Sequence, residues 1–379
     1  MIFNLFVWLF FLTIAVSLQA KTYYYDNLNI PKIAANFVDL VSQRHNDTIN
    51  YFVLSENILS GRISSAFVDL NVYTCLKFLG NTKMFEGPGF LFKEGKKNDI
   101  KFNKKTKQTT IQLSSSCLSK LGCVKYFIGL GLGLFPQVNR QDRDKYVKVF
   151  WKNIDKKNYG RFRKFSKGIV KRYSTEFDFG SLMNYDVMYL SRNGKKVYGS
   201  KHNSFNDNLI GQVQEFSYND LRSINKYYCD KEVEGKIKCK NDGYYDYTVR
   251  RCICPYDYRD DDCSKLRIRS ECGEQILTAT GKLKSLNVEG RKTCVYDISA
   301  PKNKKIRISI KQVNTTKVDL CAPGSGLEVR YGKNKGTTGI LLCGHYKKEI
   351  QLTSLSNEVS LVYYGRRYNF FNLTYKVVS

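Results

Sequence analysis

Cysteine spacing constrains this chain more than any other feature. There are twelve in 379 residues, and Cys239, Cys252, Cys254 and Cys263 crowd into one stretch too short to bury a core of its own. Cross-links must therefore hold that stretch together. Cysteines this close serve either as zinc ligands or as disulfides. The C-x-C spacing, where a zinc site would use C-x-x-C, favours disulfides. So does the apolar N-terminus: residues 1–20, MIFNLFVWLFFLTIAVSLQA, read as a signal peptide with an apolar core over residues 5–16 and small residues at Ser17 and Ala20. An uncleaved anchor is the alternative, although the apolar core is shorter than the ~20 residues a membrane span needs. No second apolar run is long enough to cross a membrane, so the expected location is extracellular, by secretion.

The length suits two or three domains, and 42% hydrophobic residues permit at least one large core. The formal net charge of +28 predicts attraction to anionic partners such as sulfated glycans, acidic proteins or lipid headgroups. Solvated faces of a soluble protein are the plainer reading of the same lysines. Nucleic acid is not an expected partner, because no recognition motif accompanies the charge.

Residues 126–147 read YFIGLGLGLFPQVNRQDRDKYV. The tail from Arg140 to Val147, with Gly133 seven residues before Arg140, resembles the signature HExxHxxGxxHExxRxDRDxYV of the astacin family of secreted zinc metalloendopeptidases. In that frame Tyr126, Leu130 and Pro136 occupy the three histidine positions, Phe127 the catalytic glutamate, and Gln137 the glutamate after the third histidine. Two imidazoles four residues apart on a helix, a third delivered after the glycine, and a glutamate to polarise water make the family's zinc site. Leucine and proline side chains offer no donor, phenylalanine accepts no proton, and one tyrosine is not a metal site. Sliding the frame by one residue places Lys125, Gly129 and Phe135 there, with the same result. The glycines of GLGLGLF do not have phosphate-loop spacing; read as three glycines within a helix, they cost roughly 1 kcal/mol each relative to alanine.

The resemblance extends along the chain. Residues 73–78, YTCLKF, are similar to the family's TCIRF strand, and residues 179–185, FGSLMNY, to its Met-turn, with Met183 as the floor and Tyr185 as the phenol near the metal. Gly133, Arg140, Met183 and Tyr185 are thus retained scaffold residues. The family ties its early cysteine to the end of its closing helix, which implies Cys75–Cys229. Phe90 stands where a cysteine is common, which leaves Cys117 to bridge Cys123. Residues 230–266 resemble a shortened EGF-like module, implying Cys239–Cys252 and Cys254–Cys263. Residues 272–379 alternate in short strands and resemble a CUB domain, implying Cys272–Cys294 and Cys321–Cys343. Calcium in CUB domains is held by acidic residues near the third cysteine, where this chain has only Asp319 and Glu328. Asn46, Asn314 and Asn372 head N-x-S/T sequons.

The expected architecture is multidomain: a signal peptide (1–20), a lead segment (21–45) lacking the propeptide aspartate, an α+β metzincin-like peptidase domain (46–229), a disulfide-rich EGF-like module (230–266) and an all-β CUB-like sandwich (272–379). The expected function is that of a catalytically inactive homologue acting by binding protein or peptide ligands and anionic glycans, with no cofactor, although active members use zinc. The alternatives are an active zinc endopeptidase with non-standard ligands, or an adhesive matrix protein working through its EGF-like and CUB modules. His45, His202 and His345, the three histidines, are scattered along the chain.

Overall fold

β-Branched and aromatic residues in the run TINYFV make strand β1 (Thr48–Val53), which lies inside a five-stranded sheet. In the computed structural model, residues 47–54, 60–165, 175–231, 233–318 and 321–379 are described. The signal and lead segments, His45, Asn46 and Asp319 lie outside them. The sheet adds β2 (Lys77–Gly80), β3 (Gly89–Glu94), β4 (Asp99–Asn103) and β5 (Gln108–Leu113) in the order β2-β1-β3-β5-β4. All pairings are parallel except β4 with β5. Parallel strands buried on both faces read as continuous apolar runs, and β3 buries Gly89, Phe90, Leu91 and Phe92 in succession. Edge strand β4 and its turn carry Lys101, Lys104, Lys105 and Lys107, charges that discourage another strand from pairing there.

Helix α1 (Ser60–Ala66) buries Ile63 and Ala66, and Phe67 just beyond it stacks on Phe78 with ring centroids 4.0 Å apart. Helix α2 (Leu121–Gly131) packs against α1 and β5. These elements belong to one compact unit, comprising the chain up to Val68, Lys77–Val170 and Met183–Gly199.

The second unit comprises Asp69–Leu76, Lys171–Leu182 and Ser200–Ser379. Its helix α3 (Tyr218–Tyr228) starts with a capping box, in which the Ser217 side chain accepts from the Asp220 amide and the Asp220 carboxylate accepts from the Ser217 amide. A two-sheet sandwich follows. One sheet orders the strands Ile276–Thr278, Thr293–Ser299, Glu358–Tyr364, Gly326–Arg330 and Ile340–Leu342; the other is built on Lys284–Glu289, Phe370–Val378, Lys305–Asn314 and His345–Tyr346, with Ile350–Thr353 also on Lys305–Asn314. Strand Lys305–Asn314 buries Ile306, Ile308 and Ile310 at period two, then a register shift between Ile310 and Gln312 turns Val313 inward. Between helix and sandwich in the sequence, residues 239–263 form two cross-linked loops. They bury Cys252, Tyr258 and Cys263 against Val295 and Val362, so the sandwich supplies the apolar surface this stretch lacks.

Six disulfides are formed: Cys75–Cys229, Cys117–Cys123, Cys239–Cys252, Cys254–Cys263, Cys272–Cys294 and Cys321–Cys343. Phe90, at the position where the family commonly has a cysteine, is fully buried beneath α2. No helix among the described residues is long and apolar enough to cross a membrane.

Candidate functional site

Helix α2 has the sequence LGCVKYFIGLG, nearly free of polar side chains, and every residue from Gly122 to Gly131 is buried. A helix buried on every side, with Lys125 its one charged residue, is an interior element. Gly131 marks its closest approach to the sheet: a methyl group built there would lie 2.9 Å from the Phe90 ring and 3.4 Å from Ile111. Of the three glycines read as helical, Gly129 and Gly131 lie within α2, whereas Gly133 lies outside it with φ +87°. That left-handed glycine closes the helix, since the Gly133 amide donates to the Leu130 carbonyl and the Leu134 amide to the Gly129 carbonyl. The glycine therefore has a purely structural task.

Tyr126 and Phe127 pack edge to face with centroids 5.6 Å apart, and Phe127 and Leu130 are sealed in the core. Pro136 opens a short 3-10 turn and its carbonyl accepts from the Asn139 amide at 2.9 Å. A zinc site needs at least three nitrogen, sulfur or oxygen donors. The side chains of Tyr126, Leu130 and Pro136 supply one phenol between them, so these residues do not fit the ion. Among the described residues no group of three or more His, Cys, Asp and Glu is placed to hold a metal. His202 and His345 are exposed and every cysteine of the chain is in a disulfide.

What the signature tail does is mechanical. The Arg140 guanidinium, buried, grips Asp142 with two hydrogen bonds of 2.9 and 3.0 Å and reaches the Gln137 side-chain oxygen at 3.5 Å. Arg143 donates to the carbonyls of Val138 (2.6 Å) and Phe162, and to Asp144 at 3.1 Å. Burial works against the Arg143 charge and lowers its pKa, and Asp144 offsets only part of that effect. Lys164 at 2.8 Å, and Arg143, hold the Asp144 carboxyl below the usual carboxylate range. The Asn139 amide group donates to the carbonyls of Arg161 and Arg163 at 2.8 and 2.7 Å. Together these bonds, several of them charge-assisted, stitch the turn after α2 to residues 161–164.

Met183 is fully buried, and its carbonyl accepts from the Gln137 amide at 3.3 Å. Tyr185 sits in an aromatic cluster, 4.7 Å from Tyr189 and 6.1 Å from Phe162 between centroids, and its carbonyl accepts from the Tyr198 hydroxyl. Asn314 donates to the Tyr368 carbonyl at 3.1 Å, and Asn372 lies two residues from Thr374 on the same face of its strand. Glu328 is buried and engaged by the Arg330 fork at 2.8 and 3.1 Å and by the Gly339 amide at 2.9 Å.

Three features escaped the sequence reading because their parts lie far apart in the chain. Arg330 pairs with Asp257 at 2.8 Å as well as with Glu328; burial opposes its charge, but the two carboxylates outweigh it. A cavity of about 370 Å³ in the second unit is bordered by Tyr218, Tyr244, Tyr256, Phe216 and Arg330. Asp178 and Asp220 are both buried: Asp178 accepts from the Gly180 amide at 3.0 Å, and Asp220 from Ser181 at 2.6 Å and Leu182 at 2.9 Å.

Burial, reinforced by the Asp178 charge, pushes the Asp220 carboxyl up to about 7, and burial raises Asp178 as well. A carboxyl raised in the fold favours the protonated form there. Its contribution is full below the unfolded carboxylate pKa of about 4 and is lost as pH rises through the folded value. The stability difference between the native protein and Asp220→Asn, followed by denaturant unfolding, is therefore expected to shrink on the order of 2–3 kcal/mol between pH 5 and pH 8. A difference that does not move with pH would refute the assignment.

The family model for Astacin, a peptidase family, matches residues 40–229, and that for the CUB domain matches residues 272–375. The chain belongs to the astacin family. It is 30% identical over 281 residues to zinc metalloproteinase nas-23 of Caenorhabditis elegans, covering 71% of this chain and 52% of the relative. Zinc metalloproteinase nas-34 of the same organism is 29% identical over 268 residues, covering 70% and 44%. The chain thus spans about half the length of these curated relatives. Among solved structures, high choriolytic enzyme 1, a hatching-enzyme zinc protease from medaka fish, aligns at 23% identity over 48% of this chain and 88% of that one, with a TM-score of 0.42.

Proposed function

We propose that this chain is a catalytically inactive member of the astacin family, exported from the cell, that acts by binding protein or peptide ligands and anionic glycans. The observation that carries the proposal is the chemistry at the ligand positions. Leu130 and Pro136 have no donor atom in their side chains, and Phe127 stands sealed in the core where a catalytic glutamate would have to meet water. Retention of Gly133, Arg140, Met183 and Tyr185 is accounted for by their helix-closing, ion-pairing and packing roles, none of which uses a metal. In this reading residues 1–20 are a signal peptide, residues 46–229 the peptidase-like domain, residues 230–266 an EGF-like module and residues 272–379 a CUB domain. Asn46, Asn314 and Asn372 are its glycosylation sites. Six disulfides support passage through an oxidising compartment. Zinc analysis combined with a cleavage assay on a denatured protein substrate tests the proposal, and neither bound zinc nor chelator-sensitive cleavage is expected.

A further inference from the structure

Two basic segments some forty residues apart in sequence are clamped side by side on the first unit. One is Trp151–Asn153 with the 3-10 turn Lys156–Phe162 that follows; the other is the loop of residues 191–196, SRNGKK. Asn153 is the hub. Its side-chain amide donates to the Lys196 carbonyl at 2.7 Å, its side-chain oxygen accepts from Asn193 at 3.0 Å, and its carbonyl accepts from the Arg192 amide at 2.9 Å. The Arg192 guanidinium donates to the Lys152 carbonyl at 2.8 Å. Inside the loop, the Ser191 hydroxyl donates to the Lys195 carbonyl at 2.6 Å. These bonds run mainly to the backbone, so the fold fixes where the cations stand while their charge stays uncompensated.

The result is a surface on which Lys152, Lys156, Lys157, Arg192 and Lys195 are all exposed, and none of them is in an ion pair among the described residues. Asp155 is the one acidic residue between residues 145 and 165, and there is none from 187 to 206. At the same surface Trp151 is 38% exposed, held edge-on by Tyr159 at 5.0 Å, with the Arg143 guanidinium 5.8 Å from its ring. A large aromatic side chain open among uncompensated cations can anchor a ligand that has both an apolar and an anionic face.

We propose that this surface is a binding site for a sulfated polysaccharide, which deepens the glycan-binding part of the function proposed above and rests on it. The ring C–H faces of a sugar pack on the indole, whose π face is electronegative, while sulfate and carboxylate groups pair with the surrounding lysines and Arg192. A single aromatic anchor suits this ligand better than single-stranded nucleic acid, which uses a series of aromatic platforms for successive bases. The site does not depend on the loss of catalysis, so its failure would leave the zinc result standing and the reverse holds too.

The probe is a heparin octasaccharide titrated into the purified protein, read by tryptophan fluorescence; Trp8 and Trp151 are the two tryptophans of the sequence. Binding is expected to change the emission, and Trp151→Phe to remove that change. The triple variant Lys152→Gln, Lys156→Gln, Lys195→Gln is expected to weaken binding at least ~10-fold, because it removes three of the pairing charges. The control Lys96→Gln, Lys105→Gln, Lys107→Gln removes the same charge around the β4–β5 hairpin and should weaken it less than ~3-fold. Equal weakening by both triples would mean that only net charge is read and would overturn the site. So would an unchanged emission on binding, or equally tight binding of a single-stranded DNA of matched charge.

Discussion

Phe127→Glu, which restores the residue type of the family's catalytic position, is expected to destabilise the protein by at least about 4 kcal/mol. In an active relative a glutamate there would face a metal-bound water. Here Phe127 has no exposed surface, and the Tyr126 ring meets it edge to face. The substitution removes an aromatic ring from a close-packed helix, leaves a partial void, and puts a carboxyl into a fully buried position. Either the charge is buried at high cost or the group protonates, and the cost remains large in both cases. Denaturant unfolding of the variant measures it. A loss below about 1 kcal/mol would show that α2 faces an open, hydrated cleft, since such small effects belong to surface positions.

The double variant Cys75→Ala, Cys229→Ala is expected to lower stability by about 4 kcal/mol. The bridge spans a sequence separation of 154 residues and joins the chain ahead of β2 to the end of α3. Closing so long a loop removes much of the freedom of the unfolded chain, and both sulfurs are buried, so little is regained from solvent when they are lost. The local Cys117–Cys123 bridge, with a separation of 6, closes a far smaller loop, and its removal should cost visibly less. Comparison of the two double variants in the same denaturant series decides the matter. Equal losses would contradict the loop-entropy account.

Residues 140–147 made the peptidase-like fold legible because the charged side chains at their start have tasks defined by backbone geometry. Arg140 must grip Asp142, and Arg143 must cap the carbonyls of Val138 and Phe162. Such tasks involve no metal, so these letters report the fold by themselves. The strands of the sandwich were legible by period two, with Ile306, Ile308 and Ile310 the plainest case. Helix α2 was harder. Its apolar run fits a buried helix, but only the approach of Phe90 and Ile111 to Gly131 explains why glycine stands there, and only the φ of Gly133 shows that it lies beyond the helix. The Arg330 pairing, the Asp178 and Asp220 carboxyls and the surface around Trp151 could not be read in advance. Each brings together side chains that no short window contains.

On the function proposed above, Tyr126, Leu130 and Pro136 hold no zinc. Metal analysis of the purified protein, supplied with excess zinc and then freed of unbound ion, is the deciding measurement. Substoichiometric zinc is expected, with no cleavage of a denatured protein substrate in the presence or absence of chelator. One zinc per chain together with cleavage that the chelator abolishes would contradict it.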